Sequence, residues 1–242
     1  MGKTKIEWAT DVWNPVTGCT KVSPGCKFCY AERVTERFGR GKFSDVRLHP
    51  DRLDAPLRWQ KPRRVFVNSM SDLFHEKVPD EFLDQVFAVM ARSDGTKLPG
   101  RPRVHRLLAA HTFQVLTKRP ERMHRYLSDP ETPYRIASTV AKAYVGFYPA
   151  RGGCDWAQWK PWPLLNLHLG VSVEDQPRAD ERIPLLLETP AAVRFLSVEP
   201  LLGPVDLRHH LRVLDPPFIS WVIGGGESGG PSERALVTKG RT

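Results

Sequence analysis

Cysteine is scarce in this chain, and long apolar runs are missing. Four cysteines in 242 residues are too few for a dense disulfide framework, and no stretch approaches the roughly 20 apolar residues that a membrane-spanning helix requires. The first twenty residues, MGKTKIEWATDVWNPVTGCT, hold no apolar segment of signal-peptide length. These absences predict a cytoplasmic protein without membrane contact, in a reducing compartment where clustered thiols serve metal or redox chemistry rather than crosslinks. Acidic residues are in deficit too: 27 Asp and Glu stand against 36 Lys and Arg, a formal net charge of +9. A surplus of that sign suits a polyanionic partner, nucleic acid above all. Much of it is concentrated in KPRR (61–64), GRPRVHR (100–106) and TKRPERMHR (117–125), and arginine-rich surface is also common in proteins that never meet a nucleic acid.

With 40% hydrophobic and 26% charged residues the chain has the composition of a globular protein with a full core. Short β-branched runs alternate with segments of helical period. VFV (65–67) precedes PDEFLDQVFAVMAR (79–92), in which Phe82, Val86, Val89 and Met90 share one helical face. TFQVL (112–116) precedes PERMHRYL, where Pro120 suits a first helical turn. LHLGVSV (167–173) precedes DQPRADERIPLLLE, VRFLSV (193–198) precedes a Pro/Gly connection, and FISWVIG (218–224) precedes a glycine run. Such alternation predicts an α/β fold with a parallel sheet, open or closed into a barrel. A single domain over 1–242 is expected, with insertions at about 92–111 and 128–163, where neither period is sustained.

The apolar runs end in tails of one character: NSMSD (68–72), TKRP (117–120), SVED (172–175), SVEP (197–200) and GGGESGG (224–230). Polar groups at the carboxyl ends of successive parallel strands converge on one rim, where such folds keep their ligand sites. Asp72, Glu174 and Glu199 are therefore expected to share a ligand rim, although each taken singly reads equally as a helix cap or a solvated turn. The glycine run is not a P-loop, because the Lys-Ser/Thr ending is absent; Gly224, Gly225 and Gly226, with Glu227, read as a place where backbone approaches adenine, ribose or phosphate closely. His75 in DLFHE is expected to face solvent at a helix start, and Trp8 and Trp13 to pack in the core or rim rather than stack on bases.

Three of the four cysteines fall within eleven positions, as Cys19-x6-Cys26-x2-Cys29. A structural zinc site takes four protein ligands, which Cys154 or one of the eight histidines would have to complete. A cubane iron–sulfur cluster on three thiolates leaves one iron for an outside ligand, and the count of three favours that arrangement. Gly18, Pro24 and Gly25 punctuate a tight loop, and YAERVTERF (30–38) continues it as a helix.

Cys-x2-Cys with an aromatic residue, Phe28, before the last cysteine resembles the latter half of the cluster loop of radical S-adenosylmethionine enzymes. WNPVTGCTKVSPGCKFCYAER, VFVNSMSDLFHE, FQVLTKRPERM, LGVSVEDQ, RFLSVEPLLGP and WVIGGGESG resemble an uncharacterised phage and bacterial family with a three-cysteine motif, similar in outline to radical enzymes such as spore photoproduct lyase. The first gap is six residues where the usual radical enzyme has three, and the chain ends where relatives are expected to continue with a further strand and helix. The resemblance implies a partial (β/α) TIM-like barrel with about six parallel strands. It implies a 4Fe-4S cluster on Cys19, Cys26 and Cys29, and S-adenosyl-L-methionine as the cofactor cleaved to a 5'-deoxyadenosyl radical. Phe28, Asn68, Ser69, Ser71, Asp72, Lys118, Ser172, Glu174, Glu199, Gly224, Gly225, Gly226 and Glu227 become cofactor-binding candidates, and Arg119 a substrate-binding one. The implied substrate is a nucleic acid or nucleotide in DNA repair or modification; a flavodoxin- or ferredoxin-type reductant and a partner protein encoded nearby are the implied protein contacts. The alternative is a zinc- or cluster-stabilised nucleic-acid-binding or redox partner protein that does not cleave S-adenosylmethionine.

Overall fold

The computed structural model describes residues 2–95, 110–145, 161–211 and 218–226. The apolar runs become the parallel strands β2 (Asp11–Trp13), β5 (Arg64–Val67), β6 (Thr112–Thr117), β7 (Leu167–Ser172), β8 (Val193–Val198) and β9 (Trp221–Gly224). With β1 (Gly2–Lys3) antiparallel on β2, they form one seven-stranded sheet in the order β1-β2-β5-β6-β7-β8-β9. Each strand after β2 joins the edge left by the one before it, so the sheet is wound in a single direction. The expected six parallel strands are present. The sheet is open: among the described residues, β9 pairs only with β8. A small hairpin of β3 (Val16–Thr17) and β4 (Arg47–Leu48) stands apart from it.

The period-2 alternation of these strands separates two faces. Val65, Val67, Phe113, Val115, Leu169, Val171, Leu196 and Val198 belong to one apolar core with the helices. These helices are α1 (Tyr30–Arg37), α2 (Asp80–Arg92), α3 (Pro120–Ser128), α4 (Thr132–Val140), α5 (Gln176–Glu188) and the single turn α6 (Arg208–Leu211); α2 to α5 carry the helical part of the core. The start of α5 shows how local sequence sets an element: Asp175 caps it, accepting a hydrogen bond from the Arg178 amide at 3.0 Å. In α2, Asp80 and Glu81 at the first turn and Arg92 at the last complement the helix dipole. Phe82, Val86, Val89 and Met90 are buried as their spacing predicts, but so are Leu83, Phe87, Ala88 and Ala91, because α2 also packs against α4. That helix lies in the stretch after 128 read as irregular; Ile136, Ala137 and Val140 provide its buried stripe, which Pro133 and the polar residues around it obscure in the sequence.

The other face is a trough. The Trp8 ring lies 4.7 Å from Phe66 on β5, and 6.3 and 6.2 Å from Phe195 on β8 and Trp221 on β9. In a flat sheet β5 and β9 would stand roughly 19 Å apart, four strand spacings, so one indole bridges them only because the sheet curls around it. Gln114 on β6 ties the Trp8 carbonyl to the floor through its Nε2 at 2.9 Å. Phe195 stacks on Trp221 at 4.3 Å and lies across Gly170, where a Cβ would meet its ring at 2.5 Å.

Gly170→Ala is expected to lower stability by about 1–3 kcal/mol through overpacking, because Phe195 is held on its other side by Trp221. Urea denaturation of the two proteins checks it; equal midpoints would show that the floor yields.

Candidate functional site

The loops leaving the carboxyl ends of the parallel strands meet over the trough in a cleft of about 690 Å³. The loop carrying the cysteines enters it from β3. Gly18 has φ +86°, and a Cβ there would stand 2.2 Å from the Asp45 carbonyl oxygen, so only glycine fits. The Gly18 amide donates to the Met70 carbonyl at 3.0 Å and the Cys19 amide to the Phe43 carbonyl at 2.8 Å, which places Cys19 between two loops. Pro24–Cys26 then form one tight helical turn, and Cys29 is the N-cap of α1. Gly25 rests on the Glu174 side chain, where a Cβ would be 3.0 Å from its carboxyl carbon.

All three cysteines line this cleft, as do Phe28, Asn68, Ser69, Ser71, Asp72, Lys118, Arg119, Ser172, Glu199, Gly224 and Gly226. Glu174 and Gly225 stand just behind the wall: Glu174 is fully buried, and the Gly225 amide donates to the Val198 carbonyl at 3.2 Å. Glu227 and Cys154 lie outside the described residues. Trp13 is core, as expected, and Trp8 forms part of the cleft base.

The rim residues differ in what already occupies them. Asp72 accepts at Oδ1 from the Phe74 amide (3.0 Å) and the Thr117 hydroxyl (2.8 Å), and at Oδ2 from the Lys118 amide (3.0 Å) and Arg119 Nη1 (3.3 Å). Ser69 donates to Asn14 Oδ1 at 3.2 Å and Ser71 to the Val16 carbonyl at 2.9 Å. Glu174 pairs with Arg182 at 3.0 Å, both side chains at most 2% exposed; the same Nη1 reaches the Ser172 carbonyl at 2.8 Å. These groups brace the rim. Others have atoms free for a ligand. Asn68, at φ +59°, holds the Val16 amide with Oδ1 at 3.4 Å while its buried Nδ2 has no partner among the described residues. The Lys118 side chain and the exposed Glu199 carboxylate make no hydrogen bond or ion pair among the described residues.

His75 overturns its expectation: it is fully buried, not solvent-facing. Its Nδ1 accepts from the Lys77 amide at 3.1 Å, which leaves Nε2 to donate to the Thr20 hydroxyl at 2.9 Å. Burial lowers its basicity, as does the Arg119 charge. Sequence reading missed Thr20, His75, Tyr30 and Arg182 as members of this site. Their partners lie in other loops, and no local spacing announces them. Tyr30 bonds to the Ser69 carbonyl, and burial pushes its hydroxyl pKa upward.

The Cys19 thiol is held mainly by burial, then by the Asp72 carboxylate, at a pKa of about 11, against the lowering influence of Arg119. Cys19, Cys26 and Cys29 are unbridged and line the same cleft as the unpartnered Asn68 amide, so thiol donors for a metal group are present there. Among the described residues, no three His, Cys, Asp or Glu are placed to hold a single metal ion.

A family model described as "Protein of unknown function (DUF5131)" matches residues 3–239. No curated protein and no solved structure matches the chain. No helix among the described residues is long and apolar enough to cross a membrane.

In the metal-free protein at pH 8, Cys19 is expected to alkylate roughly ten- to a hundred-fold more slowly than an exposed cysteine, because so little of it is thiolate. Raising the pH toward 11 should accelerate it; Asp72→Asn should accelerate it at constant pH by removing a charge that disfavours the thiolate. Timed iodoacetamide labelling read by peptide mass spectrometry checks both signs.

Proposed function

The chain belongs to the DUF5131 family, and from the residues of its cleft we propose that it is an iron–sulfur enzyme of the radical S-adenosylmethionine type. The observation that carries this reading is the meeting of Cys19, Cys26 and Cys29 in one cleft with ligand-ready groups from three other loops. Three thiolates leave a cubane one iron short of protein ligands, and the cleft beside them has room for a nucleoside-sized molecule. The curved, singly wound sheet supports reading the fold as a partial (β/α) TIM-like barrel, whose ligand site lies at the carboxyl ends of the strands.

In this reading Cys19, Cys26 and Cys29 hold the 4Fe-4S cluster. When bound, the cluster supplies one electron and S-adenosyl-L-methionine supplies a sulfonium whose cleavage starts radical chemistry. This chain's residues bind, orient and exclude water. The Asn68 amide, the Lys118 ammonium and the Glu199 carboxylate are the groups with atoms free to meet the amino, carboxylate and ribose parts of such a cofactor. The apolar base of Trp8, Phe66, Leu116 and Ile223 keeps water from the reacting end. The basic surplus supports a nucleic acid or nucleotide as substrate, with a flavodoxin- or ferredoxin-type protein as reductant.

Anaerobic reconstitution tests the reading. The chain is expected to bind about four iron and four sulfide and, with dithionite, to release 5'-deoxyadenosine from S-adenosylmethionine. Cys19→Ala, Cys26→Ala and Cys29→Ala should each lose the cluster while Cys154→Ala keeps it. A colourless protein holding zinc would overturn the proposal in favour of a metal-stabilised binding protein, and iron without cofactor cleavage would favour a redox partner.

A further inference from the structure

Arg119 lies two residues beyond β6, at the N-cap of α3, and its side chain is only 9% exposed. All five of its N–H donors have protein acceptors. Nε donates to Glu76 Oε2 at 3.2 Å, and Nη2 donates to both the carbonyl and hydroxyl oxygens of Thr20, each at 3.0 Å. Nη1 donates to Asp72 Oδ2 at 3.3 Å and to the Cys19 sulfur at 3.4 Å. A guanidinium has five such donors and no more, so none is left for a substrate carboxylate or phosphate. Among the three cysteines the contact is one-sided: the sulfur of Cys26 meets the Ser23 hydroxyl at 3.8 Å, and Lys21, which interacts electrostatically with Cys26 and Cys29, is half-exposed and paired with Glu32 at 2.8 Å.

We propose that Arg119 is a positioning residue for the metallocluster rather than a substrate ligand: it fixes the Cys19 arm of the loop and, by placing a buried positive charge and an N–H···S hydrogen bond on one thiolate, raises the cluster's reduction potential. This rests on the iron–sulfur reading given above. Reduction adds one electron to the cluster, and a hydrogen bond or cation at a ligating sulfur stabilises the more negative state. Glu76 works in the opposite sense, since its carboxylate partly neutralises the same guanidinium. The Glu76 side chain is 64% exposed and meets Arg119 and, at 3.4 Å, His75 Nε2, so it changes the charge at Arg119 with no direct hydrogen bond to the cysteine loop.

The test is a dye-mediated dithionite titration of the anaerobically reconstituted full chain, followed by electron paramagnetic resonance of the reduced cluster. The midpoint of Arg119→Gln is expected to move to more negative potential and that of Glu76→Gln to more positive potential, with Arg119→Lys between Arg119→Gln and wild type. A residue that only braced the loop would not give opposite signs for the two neutralisations. If wild type and variants carry full clusters with equal midpoints, the role of Arg119 is overturned and the iron–sulfur reading stands. If the wild-type chain retains no iron, that reading fails and the role of Arg119 with it. Should Arg119→Gln fail to load, Glu76→Gln and Arg119→Lys decide: unchanged midpoints in both overturn the proposal, and shifts in the stated directions support it.

Discussion

The carboxylate of Asp72 is the fixed point of this molecule. It is 6% exposed, and a buried carboxylate without partners would be strongly unfavourable. Its oxygens therefore gather four donors from two chain segments: the Phe74 amide of its own loop, and the Thr117 hydroxyl, Lys118 amide and Arg119 guanidinium at the end of β6. Hydrogen bonds to charged groups contribute about 1.5–3 kcal/mol each, enough to lock the tails of β5 and β6 at one offset. That offset aims Arg119 at Cys19, and the thiol's position follows from the carboxylate's need for donors. Thr117 completes the knot by accepting from the Arg119 amide at 2.9 Å.

The polar residues around the cleft divide by environment rather than by type. Two acidic side chains, Asp72 and Glu174, are buried and ion-paired; a third, Glu199, stands exposed on the rim. Glu174 serves the architecture twice. It pairs with Arg182 beneath β7, and its side chain forms the shelf on which Gly25 lies. Its second oxygen has no hydrogen-bond partner among the described residues. A pair this deeply buried tolerates the loss of neither member, which couples the shape of the cysteine loop to the integrity of α5.

Strands β5 to β9 were legible because each lies in a short apolar, β-branched run bounded by polar residues, and VRFLSV at 193–198 matches β8 residue for residue. Helices α2, α3 and α5 were legible from their period, and α3 and α5 also from the prolines at their first turns. The convergence of the strand tails was legible as well, since parallel strands send their carboxyl ends to one side. What each tail does was not. Asp72, Arg119 and Glu174 look like ligand groups in a string of letters, and only three-dimensional placement shows that protein donors and acceptors already occupy them. His75 was misread for the same reason: its partner, Thr20, lies 55 positions away. The curl of the sheet was also hidden, because the residue that reveals it, Trp8, sits outside any strand and touches three of them.

The winding order carries one more consequence. Every group that fixes Cys19 lies before residue 120: the Asp45, Phe43 and Met70 carbonyls, Asp72 and Arg119 itself. The opposite wall of the cleft, from Ser172 to Gly226, comes from the last third of the chain. A polypeptide emerging amino end first therefore has every component of the thiol cradle in hand while the trough is still half built, and the strands that wall it in are made afterwards.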